Sequence, residues 1–201
     1  MLAWTARRAP WKLLAVDFRL HGWLGAVLAI ALAWILSART PEGPPLHLLA
    51  TPLVALMFGR DLAAVAVAPA IIAALLWRQG EWASAPATWL LAGFLPAHLT
   101  CLLHRAADRF VPRNVFTYIF LAGFFTPGIV FALTVVVAAA AYAGAAGVAW
   151  QRLADGFIPY GLLLAWGEAF LSGLLATIFV VYEPRWMVTF DDARYLRPPG
   201  T

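Results

Sequence analysis

Between Phe157 and Tyr182 the sequence reads FIPYGLLLAWGEAFLSGLLATIFVVY, 26 residues with one charge, Glu168, close to the middle. At 1.5 Å per residue a helix of this length rises about 39 Å, enough to cross a hydrocarbon core with some tilt. A carboxylate at the centre of such a helix costs at least about 2.5 kcal/mol, so it must face protein or a watery cavity rather than lipid. Gly167, Ala169, Ser172, Gly173 and Ala176 surround it, and Ala169/Gly173 and Ser172/Ala176 are small-xxx-small pairs that admit a neighbouring helix at close range. Glu168 then has two readings: a protonated side chain that bridges two helices, or an intramembrane acid with a function of its own. On the second, Glu168→Gln impairs function more than assembly.

The rest of the chain extends this theme. Hydrophobic residues make up 63% of the 201 positions, charged ones 12%, and the mean hydropathy is +0.81. Apolar runs this long exclude a water-facing fold and define an all-α, polytopic integral membrane helix bundle of about six membrane segments. Cys101 is the sole cysteine, so no internal disulfide can form. Lys12, the one lysine, lies outside any G-x-x-x-x-G-K-[ST] loop, so the chain carries no P-loop ATPase of its own. No nucleophile–base pair or H-E-x-x-H is visible, and an enzyme is not expected.

Residues 1–20 interleave Arg7, Arg8, Lys12 and Arg19 with Trp4, Trp11, Leu14 and Phe18, the pattern of a basic amphipathic interfacial segment. A transmembrane bundle over 21–182 and a cytoplasmic tail over 183–201 complete the expected organisation. Spans are expected at 21–37, 62–77, 86–104 and 157–182, with 46–58 too short for a straight span and interrupted by Pro52. That stretch reads as a short, broken or re-entrant helix. The tract from Asn114 to Gln151 is longer than one span needs, and Pro127-Gly128 or the small residues 138–147 mark a bend or a division into two. With the N-terminus in the cytoplasm, eleven basic residues fall inside (Arg7, Arg8, Lys12, Arg19, Arg60, Arg105, Arg109, Arg113, Arg185, Arg194, Arg197) and three outside (Arg39, Arg78, Arg152). This bias puts both termini in the cytoplasm and explains the basic pI without a nucleic-acid partner.

Three groups of residues offer chemistry. His98, Cys101 and His104 form H-x-x-C-x-x-H; neighbours in this series share a helical face, but the two histidines lie about 9 Å apart along the axis. That is a two-ligand signal rather than a closed zinc site, beside the plainer reading of a helix-end histidine and a buried thiol. His47 stands at the mouth of the broken helix, where membrane proteins expose backbone groups and build transport sites. The basic loop 105–114, with Arg113 and Asn114, and the charged tail from Glu183 read as solvated anchors or as docking surfaces.

The order of these pieces resembles the energy-coupling-factor (ECF) transporter permeases, in particular the cobalt/nickel-type substrate-capture subunits, from about His47 to the tail. His47 precedes Phe58-Gly59 as the family's histidine does, Arg113-Asn114 leads into VFTYIFLAGFF, and Gly167-Glu168-Ala169 with Ser172-Gly173 matches its last span. The ending YEPRWMVTFDDARYL is similar to a divergent bacterial branch grouped with these permeases. The sequence departs from the pattern at Leu48-Leu49-Ala50, where the family has Pro-Thr-Gly, and at Arg78-Gln79-Gly80, where it has His-Gly-Gly. It also opens Met1-Leu2 in place of Met-His.

The resemblance implies a multi-pass permease of the bacterial inner membrane with an ECF S-component-like fold. It implies no covalently bound cofactor, a transition-metal substrate (cobalt, nickel, zinc or copper), a transmembrane coupling subunit and cytoplasmic ATPase subunits. Candidate metal-side residues are His47, His98, Cys101 and His104, with Glu168, Arg113 and Asn114 as further functional positions. The missing Met-His keeps a second class in play, a membrane accessory protein for metalloenzyme maturation or complex assembly.

Overall fold

The computed structural model describes residues 1–38, 40, 41, 43–78 and 81–196; Arg39, Gln79, Gly80 and Arg197, used in the sequence reading, lie outside the described residues. Every named element among them is helical. α1 is Leu2–Arg8, followed by a 3-10 turn at Trp11–Ala15; α2 is Asp17–Ile35, α3 is Thr51–Phe58 and α4 is Arg60–Arg78. α5 spans Trp82–Phe110, α6 Val115–Ala146, α7 Trp150–Gly156, α8 Ile158–Tyr182 and α9 Asp192–Tyr195.

Among the described residues five helices, α2, α4, α5, α6 and α8, are long and apolar enough to cross a membrane. The sixth expected segment, 46–58, is broken, as its length and Pro52 predict. Residues 46–50 run non-helically, Leu46 bridges to Ala38, and only then does the eight-residue α3 form. The break has a local cause: Ala50 adopts φ 54, a left-handed conformation uncommon for any residue but glycine, and Pro52 can begin a helix but not continue one.

The tract from Asn114 onward forms one span rather than two. Asn114 accepts the Thr117 N–H at 2.7 Å, capping its start, and Gly147 at φ 65 ends it. Pro127 is accommodated within it. A π-helical stretch, Tyr118–Phe125, widens the helix just ahead of the proline, and the Thr126 hydroxyl donates to the Leu121 carbonyl at 2.7 Å. α5 repeats the device, with a π turn at Leu90–Phe94 ahead of Pro96.

The N-terminal stretch divides at Pro10. Leu14 turns inward, whereas Trp4 and Trp11 stay exposed, so its apolar residues do not form one continuous face. Exposed leucines and aromatics on the outer walls of α2 (Leu24, Leu28, Leu32) and α8 (Leu163, Phe170, Leu174) give the bundle the apolar exterior of a multi-pass membrane protein.

α3 and the first half of α4 occupy the centre. All eight residues of α3 are buried, and Leu62, Ala63, Ala64, Ala66, Val67 and Ala70 of α4 are inaccessible. α2 packs on α4, and α8 packs on α6. The α6–α8 seam is close because its residues are small. A methyl on Gly123 would lie 2.8 Å from Ala176, and one on Gly128 would lie 3.0 Å from Ala169. Both partners belong to the small-residue pairs around Glu168, so the sequence had marked this interface.

The start of α2 and the segment after α8 meet at one end of the bundle. The Arg185 guanidinium lies 5.1 Å from the Phe18 ring, and a methyl on Gly22 would touch Phe58 and Trp186. The segment after α8 does not run free. Met187, Phe190 and Tyr195 are buried beneath the bundle, and Tyr195 hydrogen-bonds Asp108 at the end of α5.

Candidate functional site

The isolated charge of α8 meets the non-helical stretch that leads into α3. Glu168 is 1% exposed, and its two carboxylate oxygens accept the N–H groups of Leu49 (2.9 Å) and Ala50 (2.8 Å), the residues just before α3. A helix that begins inside the membrane leaves N–H groups without water to solvate them, and each such group costs several kcal/mol if unpaired. Glu168 supplies acceptors from a neighbouring helix to the N–H groups of the N-cap residue Ala50 and of Leu49 before it. Its position near the middle of α8 places the start of α3 deep in the bundle. The Thr51 hydroxyl adds a bond to the Ala92 carbonyl of α5 at 2.8 Å.

The other end of α3 is also capped from afar. Val188 N–H donates to the Met57 carbonyl at 3.1 Å, and Thr189 reaches the Leu56 carbonyl through its N–H (3.3 Å) and its hydroxyl (2.8 Å). The Thr189 hydroxyl proton is thereby used, so the Tyr118 phenol, 2.6 Å away, is the donor of their shared bond. Tyr118, Phe190 and Tyr195 form a cluster with ring centroids 5.0 to 5.1 Å apart. Asp108 ties it down, accepting from Tyr195 and facing Arg194 at 3.5 Å and Arg113 at 3.8 Å. Burial, reinforced by the Asp108 carboxylate, pushes the Tyr195 phenol above its ordinary range, so it remains a donor at physiological pH.

The candidate residues scatter over this framework. His47 sits in the non-helical stretch, three residues before Ala50, with its ring 4.1 Å from that of Trp34 near the end of α2 and Nδ1 3.3 Å from the Leu48 carbonyl. His98 stacks on Phe94 at 3.9 Å and contacts the Phe94 carbonyl at 2.8 Å through Nδ1. His104 is buried edge-on against Tyr118, and Cys101 is buried on the same helix. Among the described residues no three His, Cys, Asp or Glu side chains gather in a metal-binding group, so the H-x-x-C-x-x-H series does not close into a centre. Asn114 serves as a helix cap, and Arg113 as a partner of Asp108. Thr189, Tyr118, Asp108 and Tyr195 were absent from the sequence reading, because their pairing joins positions 71 to 133 residues apart and leaves no local pattern.

A bundle of five spanning helices around a broken half-helix, with that helix held at each end by side chains or backbone from elsewhere, defines a polytopic membrane protein built around irregular backbone at depth. Such backbone is tolerated only where it is buried in protein or lines a cavity. The family model described as the cobalt uptake substrate-specific transmembrane region, CbiM, matches residues 1–186, and the chain belongs to this family of transporter components. No curated protein and no solved structure matches the chain significantly. The match takes in the first 46 residues, which the motif-by-motif resemblance left out, and it stops before Met187, so the α3-capping residues Val188 and Thr189 lie beyond it.

Proposed function

We propose that this chain is the substrate-capture membrane subunit of an energy-coupling-factor transporter and that its substrate is a divalent transition-metal cation, cobalt first among them. The observation that carries the reading is membership of a cobalt-uptake transmembrane family over residues 1–186. His47 is the residue assigned to the metal. An imidazole suits cobalt, nickel, zinc and copper, and His47 stands on non-helical chain leading to a helix that starts inside the bundle, the setting in which transporters place substrates. Energy comes from ATPase subunits on other chains, coupled through a second membrane subunit.

Two experiments test the assignment. Isothermal titration of the purified protein with cobalt(II) should show binding that His47→Ala weakens by at least about tenfold, since removing one of few ligands costs on the order of 1.4 kcal/mol or more. Melting temperature should be unchanged within about 2 °C, because His47 is only partly buried. Absence of cobalt binding by the unmodified protein sinks the metal reading and raises the accessory-protein alternative. Affinity purification from native membranes separately asks whether an ATPase and a coupling subunit accompany the chain.

In the same reading the membrane is the bacterial inner membrane, residues 1–20 lie along its cytoplasmic surface, and both termini face the cytoplasm, the sixth crossing being the 46–58 segment, which runs from His47 beside Trp34 at the far end of α2 to Phe58 beside Gly22 at its start. The eleven-to-three distribution of basic residues along the sequence supports that orientation. Alkaline phosphatase and green fluorescent protein fused after Thr201 should give a cytoplasmic signal, fluorescent and phosphatase-negative. A phosphatase-positive fusion there reverses the orientation.

A further inference from the structure

We propose that Thr189 is a positioning residue for the 46–50 segment, acting on it through α3. The proposal rests on the transport reading only for what that segment binds; the connection itself is read from hydrogen bonds. α3 is eight residues long, about 12 Å, and buried along its whole length. The two residues just before it, Leu49 and Ala50, are tied to α8 through Glu168, and its last carbonyls are tied to Val188 and Thr189. A closely packed helix moves as a unit. An axial shift of α3 away from Thr189 therefore displaces Leu49 and Ala50 against the fixed Glu168 oxygens, and both sets of bonds are made only at one position of the helix.

Thr189 is well placed to set that position. Its hydroxyl donates to Leu56 and accepts from Tyr118, so α3, the C-terminal segment and α6 meet at one oxygen. The segment carrying it is fixed in turn by buried Met187, Phe190 and Tyr195 and by the Asp108 bonds. At the far end the chain has a natural pivot, Ala50 at φ 54, three residues from His47. Because the link is a single element with a partner at each end, it works in both directions: loosening one cap loosens the other, and a ligand held by the 46–50 segment tightens the Thr189 end by the same factor.

Hydrogen exchange on the purified full-length protein reads this without any ligand. Thr189→Val removes the hydroxyl at nearly constant volume, and the amides of Leu49 and Ala50, which donate to Glu168, should then exchange about five- to tenfold faster. Thr189→Ser, which keeps the hydroxyl, should restore the original rate. Tyr118→Phe leaves the bond to Leu56 intact and should give a smaller change in the same direction; it carries the test if the valine variant does not fold. In the reverse direction, Glu168→Gln should accelerate the amides of Val188 and Thr189.

The proposal is overturned if Thr189→Val speeds only Val188 and Thr189, or if the Gly161 amide in the α6–α8 seam accelerates as much as Leu49 does. A cobalt(II) titration separates this proposal from the one beneath it. Thr189→Val should weaken binding about fivefold while Thr189→Ser does not, and equal affinities for all three proteins overturn the positioning role. If the unmodified protein takes up no cobalt, the transport reading fails while the exchange rates still decide whether Thr189 positions the segment.

Discussion

Glu168→Leu is expected to prevent the chain from accumulating as a folded protein, and Glu168→Gln is expected to fold with a clearly lowered melting temperature. Both carboxylate oxygens accept a backbone N–H, and Leu49 is buried. Leucine leaves both donors without partners, at about 1–3 kcal/mol each. That sum is a large share of the 5–15 kcal/mol by which a typical domain is stable. Glutamine has one carbonyl oxygen, so it can serve one N–H while its amide NH2 is turned toward the other, donor against donor. A side chain whose two oxygens both accept is not one that glutamine replaces unchanged. Melting in detergent should rank the unmodified protein above Glu168→Gln and that above Glu168→Leu. If glutamine melts with the unmodified protein, the two bonds contribute nothing and some other contact holds Ala50 at its positive φ.

The sequence disclosed most of what depends on composition and local spacing. The long spans followed from uninterrupted apolar runs, and Pro52 within a run of 13 residues foretold that 46–58 would break. The small residues on the Glu168 helix foretold a close neighbour, which proved to be α6 through Gly123 and Gly128. Where the local signal was ambiguous the outcome depended on hydrogen-bond supply. Pro127 invited a division of the long tract, yet the widened turn before it and the Thr126 hydroxyl let the helix continue to Gly147.

The site was only half legible. Glu168 stood out because an isolated charge in 26 apolar positions must be compensated, but its partners are backbone N–H groups, which every residue carries and no pattern marks. The C-terminal segment was harder still. Glu183, Arg185, Asp191, Asp192 and Arg194 give it a solvated character, while the burial of Met187, Phe190 and Tyr195 depends on a surface assembled from α3, α5 and α6. Its bonds to Leu56 and Met57 close one end of the short α3 as Glu168 holds the chain entering the other.

The second large effect concerns the seam that carries Glu168 to its position. A β-carbon on Gly161 of α8 would lie 2.4 and 2.8 Å from the two γ-methyls of Val135 and 3.2 Å from its Cβ, inside van der Waals contact in each case. Valine in a helix has one strongly preferred rotamer, so those methyls cannot swing aside, and α6 and α8 must separate. Gly161→Ala is therefore expected to lose about 1–3 kcal/mol, although alanine is the better helix former by about 1 kcal/mol. Gly144→Ala, at a helical site with nothing within 4 Å, isolates the propensity gain and should be neutral or slightly stabilising. Val135→Ala deletes both methyls that clash, so in the double variant with Gly161→Ala most of the loss should return, leaving a coupling energy of at least about 1 kcal/mol. Melting temperatures and the protection of the Leu49 and Ala50 amides from hydrogen exchange should fall and recover together, because a parted seam withdraws Glu168 from both amides. Equal melting of Gly161→Ala and Gly144→Ala would mean that the seam yields at no cost, and the register of Glu168 against α3 would then have to be set by α3 and its distal cap alone.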